Sequence, residues 1–143
     1  MLKLTEIAPP GTAFDDVLTL PFELRQKSRL AARTDNAKEV GLFLARGQIL
    51  RSGMILRGFD HFAVQIKAAH EPVSVVRSED CTHFAKACYH LGNRHVPLQI
   101  LAGELRYLQD HVLDHMLEGL GLKVMHERLP FEPEAGAYQG HDH

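Results

Sequence analysis

Cysteine is scarce in this sequence, with two among 143 residues, and that scarcity removes a whole class of folds. Cys81 and Cys88 lie seven residues apart in a helical pattern, two turns or roughly 10 Å along the axis. A disulfide needs α-carbons within roughly 7 Å, so both thiols read as small buried apolar residues rather than a redox pair. Clusters of one charge are missing too. Lys and Arg are scattered and the formal net charge is -2, which argues against a nucleic-acid or membrane-surface binder. No apolar run approaches the roughly 18 residues of a membrane span. The opening Met1-Leu2-Lys3-Leu4-Thr5-Glu6-Ile7 has neither the apolar centre nor the cleavage pattern of a secretory signal. The expected compartment is the cytoplasm.

Catalytic constellations are equally absent. No Ser/His/Asp or Cys/His nucleophile set and no glycine-rich phosphate loop can be found, and nothing marks Cys88 and His90 as an activated pair. An enzyme is not expected.

What the sequence does have is histidine: 10 residues, eight of them from position 83 onward. That asymmetry points to metal handling in the second half. The most informative stretch is Tyr89-His90-Leu91-Gly92-Asn93-Arg94-His95-Val96-Pro97-Leu98-Gln99, where a helical pattern stops and a strand pattern starts. Gly92 and Asn93 are suited to the left-handed conformation that closes a helix, and Pro97 prevents its resumption. His95 therefore sits on a short stiff connector, either as a solvated side chain or as a ring offered to a metal or a partner.

Two textures divide the chain near Glu71-Pro72. Residues 1–72 are expected to form a small all-β sandwich or barrel. Thr19–Leu24, Ser28–Arg33, Val40–Leu44, Met54–Leu56 and Phe62–Lys67 read as strands separated by turn residues, and positions 1 to about 18 show no clear periodicity. Residues 73–143 read as strand, helix, strand, strand, helix, strand. That is a ferredoxin-like βαββαβ pattern, so the chain is an α+β protein, with a short extended tail over 130–143. In the first helix Cys81, Phe84, Ala85, Cys88 and Leu91 form the expected apolar face, and His83, Ala87 and His90 a second side. In the other helix Val112, Leu113, Met116, Leu117 and Leu120 are expected inside, with Asp110, His111, Asp114, His115 and Glu118 outside.

His111 and His115 are four apart on that helix and can converge on one ion, or simply belong to a solvated polar face. A zinc peptidase would need Glu directly after the first His, and Val112 stands there instead. His141 and His143 alternate in the tail around Asp142, a pattern that can wrap an ion. Imidazole and carboxylate ligands suit Ni, Cu and Zn alike. One His cannot hold an ion, so a metal at His95 calls for a second copy. A two-fold homodimer supplies the matching ring.

Several segments carry a resemblance. The stretch from Tyr89 to Ile100, then Gly103-Glu104-Leu105-Arg106-Tyr107, Asp114-His115-Met116-Leu117 and Pro130-Phe131-Glu132-Pro133-Glu134-Ala135-Gly136-Ala137-Tyr138, resembles the urease accessory protein E family. Leu18 to Arg29 fits the same family. The resemblance implies a nickel metallochaperone (Ni2+, with Cu2+ or Zn2+ able to occupy the site in vitro) that delivers nickel to apo-urease. It implies a peptide-binding-like β domain and a ferredoxin-like metal-binding domain through which a homodimer forms. His95 would be the ligand shared across that dimer, completed by His141 and His143. The partners implied are the urease accessory GTPase and the urease maturation complex. Some members carry a His-x-His pair before the second helix. Here Gln109 takes the first position, leaving His111 to act with His115 if that site exists. The short His141-Asp142-His143 ending does not suggest large nickel storage. The competing reading is a peptide-binding or assembly module with incidental metal binding.

Overall fold

The computed structural model describes residues 1–136. The chain divides into two compact units, Met1–Ala69 and the part from His70 onward.

The first unit holds β1 (Leu2–Leu4), β2 (Glu6–Ala8), β3 (Asp16–Leu20), the short helix α1 (Phe22–Arg25), β4 (Arg29–Arg33), β5 (Glu39–Phe43), β6 (Ile55–Arg57) and β7 (Ala63–Ala68). They make two sheets, ordered β1-β5-β4 and β2-β6-β7-β3. Alternation along each strand sends one set of side chains inward. Leu4, Val40 and Leu42 from the first sheet join Leu18, Leu56 and Ile66 from the second in one core. Each such fully buried aliphatic side chain contributes about 1.5–3 kcal/mol.

Two expectations fail in this unit. The first eighteen residues contain β1, β2 and the start of β3 rather than irregular chain. Three-residue strands are too short to show a period, and their stability comes from distant partners: Leu2 pairs with Val40, and Glu6 with Arg57. The strand expected over Thr19–Leu24 stops at Leu20, because Pro21 starts α1. That turn tucks Arg25 fully inside. Its Nε donates to the Leu20 carbonyl and its Nη1 to the Leu50 carbonyl, both at 3.0 Å. A buried guanidinium is tolerated there because carbonyls receive its donors.

The second unit holds β8 (His70–Arg77), α2 (Cys81–Asn93), β9 (Gln99–Leu101), β10 (Glu104–Leu108), α3 (His111–Gly119) and β11 (Val124–Pro130). Its sheet runs β11-β8-β10-β9 with every neighbouring pair antiparallel, which is the ferredoxin-like order expected of a split βαβ repeat. Asp80 caps α2 by accepting from the His83 amide at 3.0 Å, and Asp110 caps α3 by accepting from the amides of Val112 and Leu113. Gly121, at φ 87°, ends the second helical segment, and Gly103, at φ 69°, turns β9 into β10.

The helix faces are rotated from those expected. On α2 the buried positions are Ala87 and Leu91, with Phe84 and Cys88 packed beside them. Cys81 and Ala85 are exposed. His83 does not belong to a solvated stripe: its Nε2 lies 2.5 Å from the Leu120 carbonyl, tying the start of α2 to the end of α3. On α3, Val112 is 60% exposed whereas Asp114 is buried. Both shifts have one cause. Apolarity alone left the stripe's centre undetermined by one position, and the sheet beneath selects the face.

Candidate metal centre

Among the described residues three non-glycines sit at left-handed φ, Ala37, His61 and His95, and His95 is the one that lies in the second unit, on the connector after α2. Helix α2 continues through Gly92 and Asn93, and Arg94 caps it at φ -91° and ψ 0°, between the helical and extended regions. The left-handed position expected at Gly92 or Asn93 falls on His95 itself, at φ 57°. Its amide donates to the Gly92 carbonyl at 3.0 Å, closing the last turn. For a residue with a Cβ this conformation costs about 1 kcal/mol, and glycine is the default. The result is an exposed imidazole on a backbone fixed by a helix end on one side and Pro97 on the other.

His111 and His115 occupy the first and fifth positions of α3, both exposed. They share a helix side at four-residue spacing, close enough to act as a pair. Among the described residues no group of three or more His, Cys, Asp or Glu side chains is arranged to hold a metal. His141 and His143 lie outside the described residues. Cys88, near the connector, is a poor metal ligand because burial raises its thiol above the ordinary value and the thiolate is the form that binds metals.

Sequence reasoning missed a buried polar network beneath α3. The hydroxyls of Ser74 and Tyr107 donate to Asp114 Oδ1 at 2.6 and 2.7 Å, and His126 Nε2 lies 2.7 Å from Oδ2. Burial by itself would raise the Asp114 carboxyl, but the three hydrogen bonds together outweigh it and hold the group below its usual range. Burial and the adjacent carboxylate push the Tyr107 hydroxyl far up, so it remains a donor. One signal was available. Ser74 interrupts the otherwise apolar run Val73-Ser74-Val75-Val76, and a polar group at the centre of such a strand needs a buried partner. The network ties β8, β10, α3 and β11 together through Asp114, on the buried side of α3.

The segment after β11 brings the two ends of this unit together. Residues paired directly across strands share a face, so Met125, Val75, Arg106 and Gln99 form one row across the sheet. Leu105 and Tyr107, on the other face, pack in the core with the helices. The Arg106 row is thus on the helix-free face. From β11 at one edge the chain crosses toward β9 at the other. The Pro130 carbonyl accepts from Arg106 Nη1 at 3.3 Å. The Glu132 amide donates to Gln99 Oε1 at 3.0 Å, and the Glu134 amide donates to the Leu98 carbonyl at 2.8 Å. Phe131, which leads this strap, is fully buried, as are Val73 and Val75. A small groove of about 180 Å³ lies where Cys88, Gly92, Val96, Leu98 and Glu134 meet. The strap therefore ends three residues along the chain from His95.

Comparison with known proteins covers both units. Residues 3–69 match the family model described as the UreE urease accessory protein, N-terminal domain, and residues 71–143 its C-terminal domain. The chain is 59% identical over 140 residues to the urease accessory protein UreE of Alkalilimnicola ehrlichii, covering 98% of this chain and 86% of that protein. It is 53% identical over 144 residues to the urease accessory protein UreE of Citrobacter koseri, covering 100% of this chain and 95% of the relative. With the corresponding protein of Shewanella halifaxensis it shares 51% identity over 140 residues, 98% of this chain and 81% of that one.

Proposed function

The chain belongs to the UreE family of urease accessory proteins, which assist urease maturation and are not enzymes, and on that premise we propose that it carries nickel to apo-urease in the cytoplasm. The observation that carries this reading is the backbone of His95. An L-residue bearing an exposed imidazole occupies a left-handed position that glycine would fill without strain, and strain of this kind is retained where the side chain has work to do.

In this reading two copies of the chain pair through their second units, and the two His95 rings share one nickel ion. The exposed apolar residues Tyr89 and Val112, at 65% and 60%, support burial against another surface. His141 and His143 complete the coordination. The strap supports this role, because seven residues from Glu134 to His141 reach roughly 25 Å when extended. His111 and His115 form a weaker, secondary pair. Ligands that leave one at a time suit a delivery protein, since acceptor groups replace them singly. The receiving partner is the urease accessory GTPase within the maturation complex. Copper and zinc fit the same imidazole set.

Thermal unfolding with and without nickel tests the reading. Metal bound only by the folded dimer should stabilise it by about 2.7 kcal/mol at a hundredfold excess over the dissociation constant. His95→Ala should abolish that gain, and His111→Ala with His115→Ala should leave it intact while lowering stoichiometry at high metal. Wild-type stabilisation of the His95→Ala protein by nickel would refute the assignment.

A further inference from the structure

Strand β4 forms an edge of the first unit's smaller sheet. It is bonded to β5 on one side, and among the described residues no strand pairs with its other side. We propose that this edge takes up an extended segment of a protein partner, one with a carboxylate, an apolar side chain and a second carboxylate at alternate positions. The inference goes beyond the nickel reading and does not depend on it.

The direction of the backbone comes first. In an antiparallel pair, residues that exchange hydrogen bonds with the neighbour alternate with residues that face away from it. The Leu44 amide donates to the Ser28 carbonyl and the Thr34 amide to the Lys38 carbonyl, both at 2.9 Å. Arg29 lies opposite Phe43 and Arg33 opposite Glu39 in the same register, so the bonded positions of β4 are the even ones. Arg29, Ala31 and Arg33 therefore turn their N–H and C=O groups to the open edge, where a further strand can add.

The side chains decide what kind of strand fits. Leu30 and Ala32 pack against the core, and alternate residues of a strand point to opposite faces. Arg29, Ala31 and Arg33 thus stand on the outer face, all three exposed. Two guanidiniums flank a small residue, and the cross-strand neighbour of Ala31 is Gly41, which has no side chain. A hollow of about 250 Å³ is lined here by Met1, Ala31, Ala32, Arg33 and Glu39. The surroundings are cationic. Arg29 and Lys3 lie over the Phe43 ring at 5.2 and 5.6 Å, and Glu39, 3.2 Å from Arg33, is the single carboxylate among the described residues of these rows.

Side chains directly opposite one another across an antiparallel pair share a face. On an added strand, carboxylates then meet Arg29 and Arg33, and the apolar side chain between them covers Ala31 and enters the hollow. Charge alone would serve to block association at an edge; the hollow between the charges adds a seat. A second copy of β4 is the wrong occupant, because antiparallel pairing centred on Ala31 sets Arg29 against Arg33 twice.

The test is fluorescence polarisation of the metal-free full chain with the labelled, end-blocked peptide Ser-Glu-Val-Leu-Val-Glu-Ser. Saturable binding is expected, weakening as salt rises. The same peptide with Lys in place of both Glu should bind about tenfold more weakly, and Arg29→Glu with Arg33→Glu should reverse that preference. Methylating the peptide's Leu amide nitrogen removes a donor aimed at the Ala31 carbonyl and should abolish binding, whereas methylating either Val nitrogen, which points away, should not. Ala31→Pro removes the protein's own donor on the side that β5 does not use, and should abolish binding as well. Each variant should take up nickel as wild type does, which separates failure of the edge from failure of the metal site. No saturation at millimolar peptide, or equal affinity for the Glu and Lys peptides, would overturn the proposal. Retained binding after either the Leu methylation or Ala31→Pro would overturn the edge pairing. A change of oligomeric state in Ala31→Pro by sedimentation would assign the edge to a second copy and overturn it too.

Discussion

The two units are built from opposite kinds of information. The first holds three-residue strands whose partners lie about forty to fifty positions away, such as Leu2 with Val40 and Glu6 with Arg57. The second is punctuated locally, by aspartates at the helix starts and left-handed residues at the helix ends. Chemistry follows the same division. The first unit contains one histidine, His61, and buries a guanidinium on backbone carbonyls. The second carries every ligand candidate. Where function depends on a few side chains held in fixed directions, local punctuation provides the rigidity.

The largest effect should come from separating the units. A chain from His70 onward should fold, pair and take up nickel, whereas residues 1–69 should bind none. Gel filtration with metal analysis checks this, and a monomeric, metal-free second unit would show that the division of labour is wrong.

A smaller effect probes the network that stiffens the second unit. Asp114→Ala leaves the Ser74 and Tyr107 hydroxyls without their acceptor, and it should cost about 2–4 kcal/mol at neutral pH. The folded protein holds this carboxyl below its ordinary value. Its stabilisation is therefore present above about pH 4 and lost as pH falls through the lower folded value. Denaturant midpoints of wild type and variant should converge in acid. A constant gap down to about pH 2 would mean that the carboxylate's charge contributes nothing.

The smallest effect sets stability against function at one residue. His95→Gly relieves the left-handed strain and should raise stability by about 0.5–1 kcal/mol while abolishing the tightest nickel binding. His95→Ala, which keeps a Cβ, should lose the metal without that gain. Chemical denaturation of the metal-free proteins separates the two, and equal stability of both variants would remove strain from the account of this connector.

Much of the second unit was legible in the chain because its signals are local. Asp80, Asp110, Gly103 and Gly121 act within four residues of themselves, through caps and φ values that composition reveals. The connector was also legible as a stiff helix-to-strand junction, although the left-handed position falls on His95 rather than on Gly92 or Asn93. The helix has room to run two residues further because Leu91 is buried at its end.

The linear order of residues already implies that the second half alternates strand and helix in a split βαβ order, that histidine gathers there, and that His95 stands on a short helix-to-strand junction. Those properties depend on neighbours along the chain, so the linear order of residues contains them. Only the folded arrangement fixes which way each helix faces, that Asp114 lies inside against Ser74 and Tyr107 with the exposed His126 reaching its other oxygen, and that the strap after β11 ends at Leu98 and Gln99. Each of these depends on groups between 7 and 40 residues apart in the chain. Such pairings are settled only when a buried polar atom must find its partner or pay the cost of desolvation.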